Sequence, residues 1–199
     1  TLLNQYLSGA CDVVFAHGGT VTDFIGDAIF AMFNAPLRQD DHAARALACA
    51  TDLDTFSEAF RSEELGRELG LGITRIGVHT GAAAVGNMGA DIHFKYSPIG
   101  DAVNTAARIE GLNKHFGTRF CASAATLKHC PEATVRPLGR VVMKGKIEPL
   151  EIFEILDAER DRSPYMEEYR RAYAMLDVGD EGAKALFAKL HADDPGDAT

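Results

Sequence analysis

The chain has 199 residues, of which 46% are hydrophobic and 25% are charged, which suits one sizeable globular domain and excludes disorder throughout. Its formal net charge of −9 argues against a nucleic-acid-binding protein, because such a protein needs a basic face. The four cysteines are widely spaced and contain no C-x-x-C pair, which predicts reduced thiols rather than a disulfide framework or a zinc site.

The chain opens within a predicted helix rather than at a helix start. Residues 1–7 already read as an amphipathic helix without a convincing N-cap, so we expect a fragment whose upstream neighbour is missing. No apolar run approaches the ~20 residues that span a bilayer, and no signal peptide is present. We therefore expect a soluble, cytoplasmic domain, with any membrane anchor or sensor module only in the missing upstream sequence.

The predicted elements alternate between paired strands and helices. In chain order they are a helix to about residue 16, a hairpin of strands over 20–24 and 28–34, a helix over 40–60, strands over 73–79, 82–85 and 94–97, a helix over 100–115, a strand over 119–122, a short helix over 123–129, and strands over 135–142 and 150–156. The stretch over 61–68 is interpreted as a charged lead into the next strand. This order predicts an α+β sandwich with helices packed on one antiparallel-rich sheet.

The tail of the chain differs in character from the part that precedes it. Residues 163–176 and 181–191 predict two helices joined by a glycine-containing turn. We therefore expect a domain over 1–156 and a helical C-terminal extension over 157–199. The extension is interpreted as a connector or as the first unit of a helical module. Its tyrosine stripe, formed by Tyr165, Tyr169, Tyr173 and Leu176, would either cover the sheet or extend a dimer.

Gly26 and Asp27 form the predicted turn of the first hairpin. An acidic residue held by a glycine at a hairpin tip is well placed to ligate Mg²⁺. This ion prefers hard oxygen ligands and typically takes one or two protein carboxylates plus substrate phosphates. Asp27 is therefore a candidate metal ligand, although on spacing alone a solvated aspartate in an ordinary hairpin is the commoner case.

Asn104 and Arg108 lie four residues apart on a predicted helix and therefore share a face. An amide beside a guanidinium suits a ribose oxygen and a phosphate under attack. A surface polar pair explains the same spacing equally well. The loop Lys144-Gly145-Lys146 between the last two strands is a third candidate, because it can hold terminal phosphates, although an isolated loop of this kind is more often a solvated basic turn.

Several motifs, taken together in this order, resemble one family. They are His-Gly-Gly-x-Val-x-x-Phe-Ile-Gly-Asp-Ala over 17–28, Ile-Gly-Val-His-Thr-Gly over 76–81, Val-Gly-Asn-Met-Gly over 85–89, Tyr-Ser-Pro-Ile-Gly-Asp-Ala-Val-Asn over 96–104 and Ala-Ala-Arg over 106–108. Residues 1–156 are similar to the class III adenylyl/guanylyl cyclase catalytic domain. The similarity is specific because several independent motifs fall at the right separations, and the tail lies outside it.

The resemblance implies a ferredoxin-like α+β fold and a head-to-tail homodimer with nucleotide sites across its interface. It implies that Asp27 is one of two metal-binding aspartates and that Mg²⁺ or Mn²⁺ binds as two ions per site. From the opposite protomer, Asn104 would orient the ribose and Arg108 would stabilise charge on the α-phosphate. Arg75 and Lys144 would contact phosphates. The implied reaction closes a nucleoside triphosphate to a 3′,5′-cyclic nucleotide and pyrophosphate in intracellular signalling.

The metal site departs from the family pattern. The family's first metal aspartate lies on a strand before the opening helix, so we expect it upstream of Thr1. Asp101 is not its substitute, because the motif of Asp101 belongs elsewhere in the site. Without the upstream strand and its aspartate, we expect an exposed sheet edge and little or no activity from the chain alone.

The base-reading positions also depart from the pattern, since they hold Asp23 and Ser97. At the first position adenylyl cyclases usually have Lys and guanylyl cyclases usually have Glu, and at the second adenylyl enzymes often have Asp or Thr. A lysine donates to adenine N1, whereas a carboxylate accepts from guanine N1–H and the 2-amino group, so Asp23 favours guanine. The predominance of adenylyl enzymes among bacterial-looking domains and the donor capacity of Ser97 favour adenine. We therefore favour ATP slightly over GTP.

Three other classes compete with an active cyclase. A catalytically silent cyclase-like module for dimerisation or regulation is favoured by the missing aspartate and disfavoured by the intact candidate residues. The Gly-Gly-Asp/Glu-Glu-Phe signature of a diguanylate cyclase is absent. A P-loop NTPase is disfavoured because Gly86 is followed by Asn87 rather than by Lys-Ser/Thr.

Overall fold

The computed structural model describes residues 2–90, 93–195 and 197. In chain order its elements are α1 (Leu2–Ala16), β1 (Thr20–Ile25), β2 (Ala28–Met32), α2 (His42–Ser62), α3 (Glu64–Leu69), β3 (Ile76–Val78), β4 (Ala84–Ala90), β5 (His93–Ile99), α4 (Asp101–Phe116), β6 (Phe120–Ser123), α5 (Ala124–Leu127), β7 (Val135–Val141), β8 (Leu150–Ile155), α6 (Ala158–Asp161), α7 (Pro164–Asp177) and α8 (Gly182–Asp193). The predicted helices and strands occur in the predicted order, and two short helices, α3 and α6, are additional.

The stretch over 61–68 is not the irregular lead that the sequence analysis expects. Glu63 ends α2 in an extended conformation (φ −69°, ψ 162°) and is also the N-cap residue of α3. Because Glu, Leu and Arg are good helix formers, the chain resumes a helix directly after this one extended residue. The prediction is wrong here because a high density of charge does not exclude a helix.

The strands form three sheets rather than the single sheet expected. β1 pairs with β2, β4 pairs with β5, and the remaining strands form a four-stranded sheet in the order β3-β6-β8-β7. Among the strand pairs that the described residues form, only the β3–β6 pair is parallel. The α+β class with antiparallel-rich pairing is confirmed. The division into sheets differs because an alternating pattern identifies a strand without identifying its partner.

Strand β6 lies at the centre of the core because both of its faces are covered. All four of its residues are buried, and successive side chains point to opposite faces. Phe120 and Ala122 pack in one cluster with Leu47 of α2. Cys121 packs in another cluster with Ile109 of α4. The four-stranded sheet therefore holds α2 on one face and α4 on the other.

Helix α4 approaches β3 so closely that no side chain fits between them at Gly77. A Cβ at Gly77 would lie 2.2 Å from Glu110 N and 2.5 Å from Ala106 O. Further along the helix, Asn113 Nδ2 donates to Ile76 O at 3.0 Å. These two contacts fix the helix that carries Asn104 and Arg108 on the sheet.

The C-terminal extension packs onto the edge of the four-stranded sheet through a buried ionic cluster. Arg136 on β7 is fully buried and donates to Glu154 on β8 and to both carboxylate oxygens of Asp197. The Tyr169 hydroxyl on α7 donates to Pro137 O at 2.7 Å, and the Arg136 guanidinium carbon lies 4.8 Å from the centre of the Tyr169 ring. Of the two roles expected for the tyrosine stripe, these contacts support covering the sheet.

All four cysteines, Cys11, Cys49, Cys121 and Cys130, are free, as the sequence analysis expects. Burial raises the pKa of the Cys49 thiol to about 11 and that of the Cys121 thiol to about 12. These two thiols therefore stay protonated and unreactive at neutral pH. In the ranges described, the helices are too short or too polar to cross a membrane.

We expect Arg136→Met to lower the free energy of unfolding by about 3–5 kcal/mol, because the buried carboxylates of Glu154 and Asp197 lose their buried cation. The matched control is Arg140→Met on the same strand. Its ion pair with Glu151 is exposed and contributes less than about 1 kcal/mol. Urea unfolding followed by circular dichroism measures both variants, and equal losses would contradict a stabilising role for the buried cluster.

Candidate functional site

Asp27 lies at the tip of the β1–β2 hairpin, where the sequence analysis expects it. Ile25 pairs with Ala28, so Gly26 and Asp27 form a two-residue turn in which Gly26 is left-handed (φ 66°). The Asp27 residue is exposed. Within residues 2–90, 93–195 and 197, no three His, Cys, Asp or Glu residues are grouped to hold a metal ion. One accessible carboxylate fits an ion that takes its other ligands from water and substrate phosphates.

Helix α4 presents Asn104 and Arg108 at the margin of its buried face. Thr105 and Ile109 are fully buried, whereas Asn104 is exposed and Arg108 is half-buried. Thr105 Oγ1 donates to the carbonyl of Asp101 at 2.8 Å, within the first turn of the helix. The packing of the buried stripe thus leaves the amide and the guanidinium at the edge of the helix, one turn apart.

Two buried guanidinium nitrogens lack a hydrogen-bond partner among the residues that the structure describes, Arg75 Nε and Arg108 Nη1. Buried polar groups are almost always paired, and leaving one unpaired costs about 1–3 kcal/mol. A phosphate accepts strong, charge-assisted hydrogen bonds from a guanidinium. Both arginines are therefore suited to an anion, Arg75 directly before β3 and Arg108 on α4.

The loop that joins β7 to β8 lies beside Arg108. A Cβ placed on Gly145 would lie 4.0 Å from Arg108 Nη2. Lys146 N donates to Met143 O at 2.9 Å, which closes a turn that requires the left-handed conformation of Gly145 (φ 79°). Met143 is buried and Lys144 is exposed. The loop therefore brings Gly145, the residue after Lys144, close to the Arg108 guanidinium.

Asp23 is held by a lysine that the sequence analysis missed. Asp23 Oδ2 lies 2.5 Å from Lys95 Nζ, and Asp23 Oδ1 accepts a hydrogen bond from Phe24 N at 3.0 Å. The hydrogen bond from Lys95 holds the pKa of Asp23 below its usual range. Lys95 and Ser97 are two residues apart on β5 and so lie on the same face of that strand. This spacing is the signal that could have identified Lys95.

The candidate residues thus fall into two groups within one chain. The base group consists of Asp23, Lys95 and Ser97. The phosphate group consists of Asn104, Arg108 and Lys144. In the part of the chain that the structure describes, no hydrogen bond or ion pair joins one group to the other or joins either group to Asp27. Within one chain, therefore, the described contacts do not join all of the predicted residues into one site.

Known proteins resemble this chain over most of its length. Residues 2–156 match the family described as the adenylate and guanylate cyclase catalytic domain. Adenylate cyclase 1 of Rhizobium meliloti (strain 1021) is 41% identical over 160 residues, a match that covers 80% of this chain and 24% of that protein. The chain therefore spans about a quarter of the length of this relative.

Solved structures show the same fold. The adenylyl cyclase CyaB from P. aeruginosa has a TM-score of 0.68 and 28% identity, covering 81% of this chain and 84% of that one. The guanylyl cyclase Cya2 has a TM-score of 0.66 and 32% identity, covering 77% and 78% of the two chains. The chain therefore belongs to the class III adenylate and guanylate cyclase catalytic domain family, whose members are lyases.

Proposed function

We propose that this domain converts ATP to 3′,5′-cyclic AMP and pyrophosphate. The observation that carries the proposal is the buried, unpaired Nη1 of Arg108, on the same helix as Asn104 and beside the loop of Lys144. A fixed guanidinium in such a setting is complementary to charge that develops on a phosphate. The relative from R. meliloti, named as an adenylate cyclase, supports the same reaction.

In the proposed reaction the 3′-hydroxyl of the ribose loses its proton to water, and its oxygen attacks the α-phosphorus. The bond from the α-phosphorus to the bridging oxygen breaks, and pyrophosphate leaves with that oxygen. Arg108 stabilises the charge that grows on the α-phosphate, and Asn104 orients the ribose so that its 3′-oxygen faces the phosphorus. Lys144 and Arg75 bind the phosphates that become the leaving group.

Asp27 would hold a divalent cation, Mg²⁺ or Mn²⁺, in this site. Its carboxylate is exposed at the tip of a hairpin, and the hard oxygen donor suits both ions. When bound, such ions favour ionisation of the ribose hydroxyl and neutralise charge on the triphosphate. We propose two ions per site, with the second aspartate expected upstream of Thr1.

A homodimer with sites across its interface is proposed because, among the described residues, no hydrogen bond or ion pair joins the base group to the phosphate group within one chain. Large apolar side chains are exposed on β1, β4 and β5, namely Phe24, Ile25, Val85, Phe94 and Ile99. Several large apolar side chains exposed on strands that contact one another make these strands a candidate protein interface. A second copy that covers these strands in a two-fold arrangement would pair the base group of each protomer with the phosphate group of the other.

ATP is the first candidate substrate and GTP is the second. The ammonium of Lys95 supplies an N–H donor in the base group, which suits adenine N1. GTP is favoured by the carboxylate of Asp23 and by the similarity to the guanylyl cyclase Cya2. The ion pair weakens the preference for guanine, because both oxygens of Asp23 already accept a hydrogen bond within the chain.

The cytoplasm is the proposed location of this activity. It supplies nucleoside triphosphates, and its reducing conditions preserve the four free cysteines. The proposed partners are the nucleotide substrate and a second copy of the chain. A formal charge of −9 does not favour a nucleic-acid partner.

Arg108→Ala should lower kcat for cyclic AMP formation by about 100- to 1,000-fold, because it removes a preorganised charge donor at the reacting phosphate. Asn104→Ala should also lower kcat, whereas Lys114→Ala, an exposed position on the same helix, should leave it unchanged. The assay quantifies cyclic product from ATP and GTP with Mg²⁺ and Mn²⁺, with and without the upstream strand restored. A folded dimer that binds nucleotide and forms no cyclic product would identify a silent module instead.

Complementation tests the shared site. Asp27→Asn and Arg108→Ala should each abolish most activity, and an equimolar mixture should regain about a quarter of the wild-type rate. In that mixture half of the dimers contain both variants, and each of these has one site with an intact Asp27 from one copy and an intact Arg108 from the other. A mixture that stays inactive, although exchange of subunits is shown by mass spectrometry, would contradict a site built across the interface.

Lys95→Met should lower kcat/KM for ATP by about 10- to 100-fold, because a charged hydrogen bond to the base is lost. Lys95→Arg retains the donor and should lose much less. Asp23→Lys should shift preference further toward ATP. The readout is the ratio of kcat/KM for ATP to that for GTP, and a ratio that is the same in the wild type, Lys95→Met and Asp23→Lys would contradict a base-reading role for this pair.

A further inference from the structure

The two lysines of the β7–β8 loop are in different environments. Lys144 is exposed. The side chain of Lys146 is only 21% exposed, and its Nζ lies 2.5 Å from Oδ2 of Asp101, the first residue of α4. The hydrogen bond from Lys146 holds the pKa of Asp101 below its usual range. Among the described residues, Lys144 thus has no ion pair, whereas Lys146 is paired with the first residue of α4.

The loop is attached to α4 at two points. Met143 is buried in one cluster with Ile109 in the middle of the helix. Lys146 reaches Asp101 at the helix start. The turn from Met143 to Lys146, closed by the hydrogen bond from Lys146 N to Met143 O, holds Lys144 between these attachments.

A histidine lies near the Asp101–Lys146 ion pair. His79, just after β3, is near enough to Lys146 and Asp101 for their charges to affect its pKa, and its Nδ1 lies 2.8 Å from Ser123 Oγ. Burial and the neighbouring Lys146 charge lower the pKa of His79, so this imidazole is neutral at pH 7. The charges at this junction are therefore those of Asp101 and Lys146, which cancel, and the unpaired positive charge remains with Arg108 and Lys144.

We propose that the Asp101–Lys146 ion pair is a positioning contact that holds Lys144 and Arg108 against the same triphosphate. The inference rests on the proposed function, since it needs a triphosphate at this site. Asp101 precedes Arg108 by seven residues on one helix, so tying the loop to Asp101 fixes the separation of the two phosphate-binding cations. The pair acts through these residues and does not touch the substrate. A triphosphate that bound Lys146 directly would instead compete with Asp101, and the two arrangements predict opposite effects of removing the carboxylate.

The test is a double-mutant cycle with Asp101→Asn and Lys146→Met in the full chain. Each single variant should raise KM for ATP and the Kd for pyrophosphate by about 5- to 20-fold, with kcat reduced by less than about threefold. The double variant should bind ATP and pyrophosphate no more weakly than the single variants do, because each single change already breaks the ion pair. Lys146→Arg keeps the charge and should retain most of the affinity. Glu148→Gln, an exposed position in the same loop, should bind as the wild type does.

Pyrophosphate binding by calorimetry does not depend on turnover, so it separates the inference from the proposed function. If Asp101→Asn binds pyrophosphate as tightly as the wild type or more tightly while Lys146→Met binds it weakly, Lys146 is a phosphate ligand and the positioning role is overturned. If the losses of pyrophosphate affinity in the two single variants multiply in the double variant, the positioning role is overturned as well. A wild-type chain that binds neither ATP nor pyrophosphate would overturn the proposed function and this inference together.

Discussion

The backbone of β3 touches α4 at Gly77, and this close approach depends on the absence of a side chain there. The contact sets the height of α4 above the sheet, and the hydrogen bond from Asn113 to Ile76 sets its direction. Ile109 then fills the core between the helix, β6 and β8. With the helix fixed in this way, Arg108 is held at the rim of the core, where its guanidinium is partly dehydrated. A guanidinium on a free surface helix would be solvated and would bind a phosphate more weakly.

Local charge, rather than net charge, explains how an acidic chain can hold the proposed anion site. Two carboxylates among the candidate residues and their neighbours are themselves paired, Asp23 with Lys95 and Asp101 with Lys146. Their fields largely cancel at a distance, because paired charges a few ångströms apart act as a dipole. In the proposed site, these paired carboxylates would therefore oppose the attraction of a triphosphate to Arg108 and Lys144 only weakly.

Features that depend on neighbouring residues could be predicted from the sequence, and features that depend on distant pairing could not. The Gly26-Asp27 turn and the Asn104–Arg108 spacing follow from local rules on turns and helix periodicity, and the structure contains both. The spacing of Lys95 and Ser97 indicates that they share a strand face, but the Asp23–Lys95 pair joins residues 72 positions apart, so no local pattern shows that Lys95 reaches Asp23. The division of the strands into three sheets also depends on pairing between distant residues, so it could not be predicted from local patterns either. The proposed anion site rests on the burial of an Arg108 nitrogen that has no partner among the described residues, which the sequence does not show.

The buried Arg136 cluster determines which part of the chain behaves as one folding unit. The match to the cyclase family ends at residue 156, whereas Arg136, inside that match, donates to Asp197, 61 positions away. A fragment cut where the family similarity ends would keep the buried guanidinium and lose one of its two carboxylates, together with the helix that covers its strand. The buried contacts thus extend beyond the unit that sequence similarity delimits, and fragments of this protein should be designed to include them.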